Sequence, residues 1–348
     1  ALADVEALSG ISEDRQIGGR KVIASSAVSS EALDAQSHDG DTGHAGGELA
    51  IRVAGLVKTY GPIRALDGLD LEVRQGVVYG FLGPNGAGKT TTMRILTGLI
   101  RADAGRVELF GQPLRWLDRR PLFGVGALIE SPAFYPYLSG RDNLGVLAGF
   151  GAAPRPGRVD EVLELVDLDE RARDRYETYS LGMKQRLGIA AALLNDPTLL
   201  LLDEPANGLD PAGIVEMRTL LKTLADAGKT VFVSSHILPE IQQMADEVAI
   251  IAHGRLVRAG RLDRLLGESS EIHLHVAPDD VPRAAELLAH AAADVHADGH
   301  GPGWLSVAAA PARAAELNRV LVGAGVDVSG LEVGSDLETL FLSLTEAP

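Results

Sequence analysis

The chain has 348 residues, 46% of them hydrophobic, with no cysteine and a net charge of −16. That length and apolar share allow a sizeable core in one large domain or two to three ordinary ones, and the lack of cysteine excludes disulfides, thiol chemistry and cysteine-based metal sites. No run approaches the roughly 18 uninterrupted apolar residues of a membrane-spanning helix, and residues 1–20 lack the regions of a signal peptide, so a membrane role is expected to come through a partner.

The charge is uneven. Residues 1–48 carry 9 acidic and 3 basic side chains, residues 268–348 carry 13 and 3, and the stretch between carries 26 of each. Acidic flanks of this kind are repelled by nucleic acid and by an anionic leaflet, so no nucleic-acid partner is expected, which still leaves room for a local basic patch.

Residues 1–47 are rich in Ala, Ser, Gly and Asp without periodicity and are expected to form a disordered extension. His38 and His44 beside Asp39 and Asp41 fit a solvated linker better than a metal site. At Glu48 the pattern changes: Leu49–Val53 and Leu69–Val73 alternate apolar and polar, as half-buried antiparallel strands do, with Lys58-Thr59-Tyr60-Gly61 between them.

Val77–Leu82 then reads as a buried strand and Thr92–Ile100 as a helix, flanking Gly83-Pro84-Asn85-Gly86-Ala87-Gly88-Lys89-Thr90-Thr91. Strand, glycine-rich loop and helix turn the pattern G-x-x-x-x-G-K-[ST] into a phosphate-binding P-loop. Its glycines let successive N–H groups point at phosphate oxygens, and the new helix adds its own unpaired N–H groups and positive dipole end. Lys89 is placed to reach the β- and γ-phosphates as a point charge, Thr90 to ligate Mg²⁺, and Thr91 to donate beside it.

Farther on, Arg106–Gly111 is strand-like, and the apolar run Phe123–Ile129 stops at Glu130-Ser131-Pro132. Arg141–Phe150 and Val159–Val166 carry helix-spaced apolar residues, split by Pro154 and Pro156, and a third helix is expected to open at about Leu187, after the loop Tyr179–Arg186. The leucines of Thr198–Leu202 read as a parallel strand buried on both faces, and Asp203-Glu204-Pro205 closes it. Asp203 is placed to hold Mg²⁺, and Glu204 to orient or deprotonate an attacking water in the crevice that the P-loop faces. Pro211–Ala227 is a helix with proline at its start, Thr230–Ser234 a further strand closed by Ser235-His236, and Val248–Ala252 and Arg255–Val257 two more. Strands alternating with helices mean a wound α/β core.

Residues 271–348 restart as strand Glu271–Val276, helix Val281–Ala293, strand Trp304–Val307, helix Ala312–Gly323, strand Val326–Val333 and a last amphipathic helix Leu337–Leu344. This suggests a small α+β module, ferredoxin-like, with no catalytic constellation. His273 and His275 share one strand face and are expected to look at solvent or a partner rather than to hold a metal.

In this order and spacing, residues 48 to about 267 resemble the nucleotide-binding subunits of ABC transporters. Tyr60 matches the aromatic that stacks on adenine, and Gly83–Thr90 the Walker A loop. Tyr179-Ser180-Leu181-Gly182-Met183 stands in place of the signature loop, and Leu199–Glu204 matches the Walker B strand with its catalytic Glu. Ala206-Asn207-Gly208-Leu209-Asp210 looks like the D-loop, and His236 the switch histidine. The resemblance implies an α/β fold of ABC type: a P-loop NTPase core of mixed sheet with an antiparallel subdomain and a helical subdomain at about 131–193, followed by an accessory module at 268–348. It implies ATP and Mg²⁺ as cofactors and two ATPase subunits, identical or different, closing head to tail around two ATPs. Ser180 and Gly182 then reach the phosphate held by the other subunit's Lys89, Asp210 joins the nucleotide site, Glu204 breaks the closed state by hydrolysis, and His236 senses the γ-phosphate. An integral membrane permease on a separate chain is implied, with this subunit peripheral on the cytoplasmic face of the plasma membrane.

Two departures stand out. Leu181 and Met183 replace Gly and Gln of the family's Leu-Ser-Gly-Gly-Gln, and Glu130 stands where a glutamine is usual, offering a carboxylate to Mg²⁺ and to the nucleotide site. These departures, with the tail Asp336–Thr345, are similar to the ATPases of bacitracin- and daunorubicin-type efflux systems, and residues 1–47 have no equivalent there. The competing readings are a soluble ATPase of the same fold acting on ribosomes or DNA, against which stand the single P-loop and the absence of a long heptad run, and an ATP-sensing module with little hydrolysis, against which stand Glu204 and His236.

Overall fold

The structure is a computed structural model that describes residues 48–130, 133–150, 155–268, 271–291, 295–297, 301–334 and 337–345. The expected disordered extension 1–47 with its His38/His44 pair, the Ser131-Pro132 breaker, Pro154 and Asp336 lie outside the described residues.

Strands β1 (Leu49–Tyr60) and β2 (Ile63–Arg74) form a hairpin. Both run longer than the alternation predicts because a bulge interrupts it: the register shifts between Val53 and Leu56, where Gly55 takes a left-handed φ of +58°. Next come β3 (Val78–Leu82), the P-loop and α1 (Lys89–Leu96), then β4 (Ala104–Leu109) and β5 (Gln112–Pro113), which complete an antiparallel sheet in the order β2-β1-β4-β5. The α1 helix stops short of the expected Ile100 because Gly98, at φ +67°, turns the chain left-handed and folds Leu99 N–H back onto the Arg94 carbonyl.

The helical part follows β6 (Val125–Leu128): α2 (Gly140–Ala148), α3 (Arg158–Leu165) and α4 (Leu181–Leu193). The α4 helix opens six residues before the expected Leu187. Ser180 is its N-cap, with Oγ accepting from Met183 N–H at 3.2 Å, so most of the expected loop is the opening of the helix, which Gly182 disguises.

Then come β7 (Leu199–Asp203), α5 (Pro211–Asp226), β8 (Thr230–Ser235), α6 (Leu238–Met244), β9 (Glu247–Ala252), β10 (Arg255–Arg261) and α7 (Leu262–Glu268). The central sheet runs β10-β9-β3-β8-β7-β6, parallel from β9 to β6 with β10 antiparallel at the edge. Its strands are apolar on both faces because both are covered. Leu199 and Leu201 join Tyr79, Phe81 and Phe232 against α1 and the antiparallel sheet. Leu200 and Leu202 join Val231 and Val233 against α4, α5 and α6.

The C-terminal module consists of β11 (Glu271–Val276), α8 (Val281–Ala291), β12 (Val295–Ala297), β13 (Trp304–Ala308), α9 (Ala314–Gly323) and β14 (Val328–Gly334). The sequence reading missed the three-residue β12. With it the order β12-β13-β11-β14, antiparallel throughout, is that of a ferredoxin-like βαββαβ unit. Ile272, Leu274 and Val276 face Leu288, Leu317 and Leu321 in a core of their own. His273 is not the solvent-facing residue expected of it: it is 7% exposed, its Nδ1 hydrogen-bonded to Ser306 Oγ at 2.9 Å. The last helix, α10 (Leu337–Thr345), packs on α6, with Leu337 N–H donating to Gln242 Oε1 at 2.8 Å.

Phe232 is fully buried between Tyr79 (ring centroids 5.7 Å apart) and Phe81 (5.1 Å). Phe232→Ala is expected to cost about 3–5 kcal/mol, read as a lowered midpoint in denaturant unfolding.

Candidate functional site

The site starts at the end of β3, whose five residues are all buried. The chain then turns within a space that excludes side chains. A Cβ on Gly88 would meet the Ala65 carbonyl oxygen at 2.7 Å, and its φ of +108° is one that L-residues rarely adopt. α1 begins at the next residue, so its unpaired N–H groups border the loop. Lys89 is 6% exposed; its Nζ donates to the Gly83 carbonyl at 2.7 Å and lies 3.3 Å from Glu204 Oε1.

A cavity of about 610 Å³ opens over this loop. Of the predicted residues, Tyr60, Pro84, Asn85, Gly86 and Gly88 line it, with Lys89, Thr90 and Thr91 from α1 and Glu204 and His236 from neighbouring strand ends. Gly83 and Ala87 build the loop from behind: Ala87 is buried and its carbonyl accepts from Gly254 N–H at 3.0 Å. Tyr60 is 43% exposed, its ring open to stacking and approached by Lys58 Nζ at 5.5 Å.

β7 and β8 end beside β3. Asp203 is 5% exposed and accepts from Ser234 Oγ at 2.6 Å, while the same Oγ accepts from Glu204 N–H at 3.0 Å. Glu204 adopts a left-handed φ of +50°, a strained conformation for a residue with a side chain. It turns the carboxylate into the cavity, where His236 Nδ1 stands 2.5 Å from Oε2. One carboxylate is thus held between an ammonium and an imidazole, in position to accept a proton from a water in the cavity.

The other predicted residues stand apart. Glu130, at φ +63°, forms an ion pair with Arg94 and does not line the cavity. Ser180, Gly182 and Asp210 line a separate surface depression of about 550 Å³, where Asp210 Oδ1 accepts from Gly213 N–H at 3.0 Å as the N-cap of α5. Sequence reasoning missed Asn207, Ile63 and Ala65 on the cavity wall, and the Ser234 hydroxyl that ties the two carboxylate residues together. Only Asn207 had a signal, its place in the stretch after Glu204.

Behind the site, Glu240 on α6 is 8% exposed in a recess shared with Glu204 and Arg218. Burial pushes its carboxyl above the ordinary carboxylate range; His236 and Arg218 pull it down, and Glu204 adds to the rise. Among the described residues, no group of three or more His, Cys, Asp or Glu forms a preassembled metal cluster. Thr90, Asp203 and Glu130 are hard oxygen donors, the kind Mg²⁺ takes along with phosphate oxygens.

A family model described as ABC transporter matches residues 66–207. The bacitracin transport ATP-binding protein BcrA of Bacillus licheniformis is 41% identical over 297 residues, spanning 84% of this chain and 96% of that protein. A daunorubicin resistance ATP-binding protein of Streptomyces coeruleorubidus is 42% identical over 225 residues, 64% of this chain and 71% of that one. Among solved structures, a dimeric ATP-binding cassette in a post-hydrolysis state bound to ADP and Pi is 27% identical with a TM-score of 0.55, covering 61% of this chain and 98% of that chain.

A buried carboxyl whose folded-state value is raised costs stability once it ionises. The cost is absent at pH below the ordinary carboxylate range and grows as pH rises through the raised value. Glu240→Gln is therefore expected to raise the melting temperature at neutral pH, with the gain vanishing as pH falls through the carboxylate range. Melting curves of both proteins across that range check it; a pH-independent difference would contradict it.

Proposed function

The chain belongs to the ATP-binding subunits of ABC transporters, and we propose that its ATPase activity drives a separate permease exporting an antibiotic, peptide or lipid-like compound. The observation that carries the chemistry is the Glu204 carboxylate, which stands beside the P-loop between Lys89 and His236. Adenine stacks on Tyr60, and the phosphates rest on the N–H groups from Gly86 to Thr91, with Lys89 charge-compensating the β- and γ-phosphates. Thr90 and Asp203, with Glu130 once released from Arg94, would hold Mg²⁺, which when bound neutralises charge on the phosphates. Glu204 orients the attacking water and takes its proton. His236 keeps the carboxylate aimed and senses the γ-phosphate.

Ser180, Gly182 and Asp210 act on a second subunit's nucleotide. Their depression is separate from the same chain's P-loop cavity, which suits a head-to-tail dimer with two shared sites. The first turn of α4, capped by Ser180, brings unpaired N–H groups and a positive dipole end to that phosphate. Among the described residues no helix is long and apolar enough to cross a membrane, so the subunit meets the cytoplasmic face of the plasma membrane through the permease. The division into an extension at 1–47, an ATPase domain at 48–267 and an accessory module at 268–348 is part of this reading. Its support is the separate core that β11–β14 build with α8 and α9; α10 packs instead in the core of the preceding domain.

Glu204→Gln is expected to lower ATP turnover about 10²–10⁴-fold while ATP binding persists; equal turnover would remove Glu204 as the base. Held closed with ATP and captured from detergent-solubilised cells, this variant should bring down a polytopic membrane protein. Ribosomal or DNA-repair proteins in its place would overturn the transport reading and leave the ATPase standing. Ser180→Arg should leave ATP binding by the monomer intact but abolish the ATP-dependent dimer on a sizing column; a dimer that still forms would refute the trans contact.

A further inference from the structure

A crevice of about 340 Å³ lies at the C-terminal end of α1, lined by Arg101, Arg106, Arg115 and Arg119 together with Trp116. The eight residues of α1 put it roughly 12 Å from the P-loop. The carboxylates nearby are already taken. Asp103 accepts from Lys58 Nζ at 2.9 Å and Thr59 N–H at 2.7 Å, and Asp118 accepts from Arg120 at 2.9 and 2.7 Å. None of the four lining arginines forms an ion pair with a described residue, and Arg119 lies over the Trp116 ring at 5.3 Å. Asp103 is the one carboxylate that lines the crevice and Lys58 already holds it, so the four guanidiniums leave an excess of positive charge there, which in a chain of net charge −16 attracts an anion.

The same segment exposes apolar side chains: Leu117 is 96% exposed, Phe123 78% and Trp116 47%. Guanidinium forks match phosphate oxygens in pairs. Tryptophan and leucine beside unpaired cations is the composition of a surface that meets the headgroup layer. We propose that this crevice binds the phosphate of an anionic membrane lipid, with Trp116 and Leu117 reaching the interface beside it. A basic cytoplasmic loop of a membrane protein would be repelled from the crevice, which favours lipid over protein as the occupant. The proposal rests on the reading that the subunit works against a membrane.

The test uses the full chain without permease or ATP, co-sedimented at about 0.1 M salt with phosphatidylglycerol-containing vesicles and with pure phosphatidylcholine vesicles. The wild type partitions onto the anionic vesicles only. Arg101→Ala, Arg106→Ala and Arg115→Ala each weaken partition about fivefold, Leu117→Ser weakens it further, and ATP turnover of the variants stays at the wild-type level. Equal partition onto both vesicles, no partition, or partition unchanged by the substitutions overturns the proposal. Pyrophosphate binding without vesicle binding assigns the crevice to soluble phosphates and overturns the lipid source. Crosslinking of position 117 to a permease without vesicle binding overturns it in favour of a protein contact. Since vesicle partition depends on neither permease nor turnover, its failure leaves the transporter reading intact.

Discussion

The register of three parallel strands governs the site. Leu82 of β3 pairs with Ser235 of β8, and Ser234 pairs with Asp203 of β7, so all three strands stop at one edge of the sheet. Lys89, His236 and Glu204 each follow one of those ends, and that is why they meet. A slip of one residue would turn every side chain of a strand to the opposite face. Here that would exchange the aromatic set Tyr79, Phe81 and Phe232 for the aliphatic set on the other face. Both cores are packed to fit, so the register that buries them also aims the chemistry.

Strain is concentrated where that edge turns. Glu204 holds a left-handed backbone immediately before Pro205, and two contacts keep it there: its N–H reaches the Ser234 carbonyl at 3.2 Å and the Ser234 hydroxyl at 3.0 Å. Ser234 is fully buried, so its hydroxyl cannot trade these partners for water without cost. It orders Asp203 and Glu204 together, one kept inside at the strand end and the other turned out to the cavity. Two adjacent carboxylates thereby acquire different surroundings, the difference on which the proposed division of labour between cation and water rests.

What the sequence made legible follows from range. The P-loop, the leucine run and the alternation of strands with helices are local patterns, and each maps onto an element within a few residues. Glycines that break a local pattern misled. Gly55 hid half of β1 behind a bulge, and Gly182 made the first turn of α4 look like a loop. Contacts between distant segments left no local trace: Ser234 with Asp203 spans 31 residues and Leu337 with Gln242 spans 95. His273 read as exposed because an alternating strand in an antiparallel sheet ordinarily has one wet face; its burial depends on packing that the strand's own residues do not encode.

The Leu337–Gln242 bond also bears on how far the site extends. α6 begins two residues after His236 and carries Glu240 toward the recess behind Glu204. One residue pair farther along, Gln242 caps the first N–H of α10. Leu337 and Leu340 bury themselves in the same cluster as Ile241 and Met244. A short helix of seven residues has little rigidity of its own; its position is set by what packs on each side, and here one side is the end of the C-terminal module. Moving His236 by shifting α6 therefore disturbs apolar contacts with α10 as well as with the sheet. The nucleotide end of the molecule and its accessory module thus share a structural element even though their cores are separate.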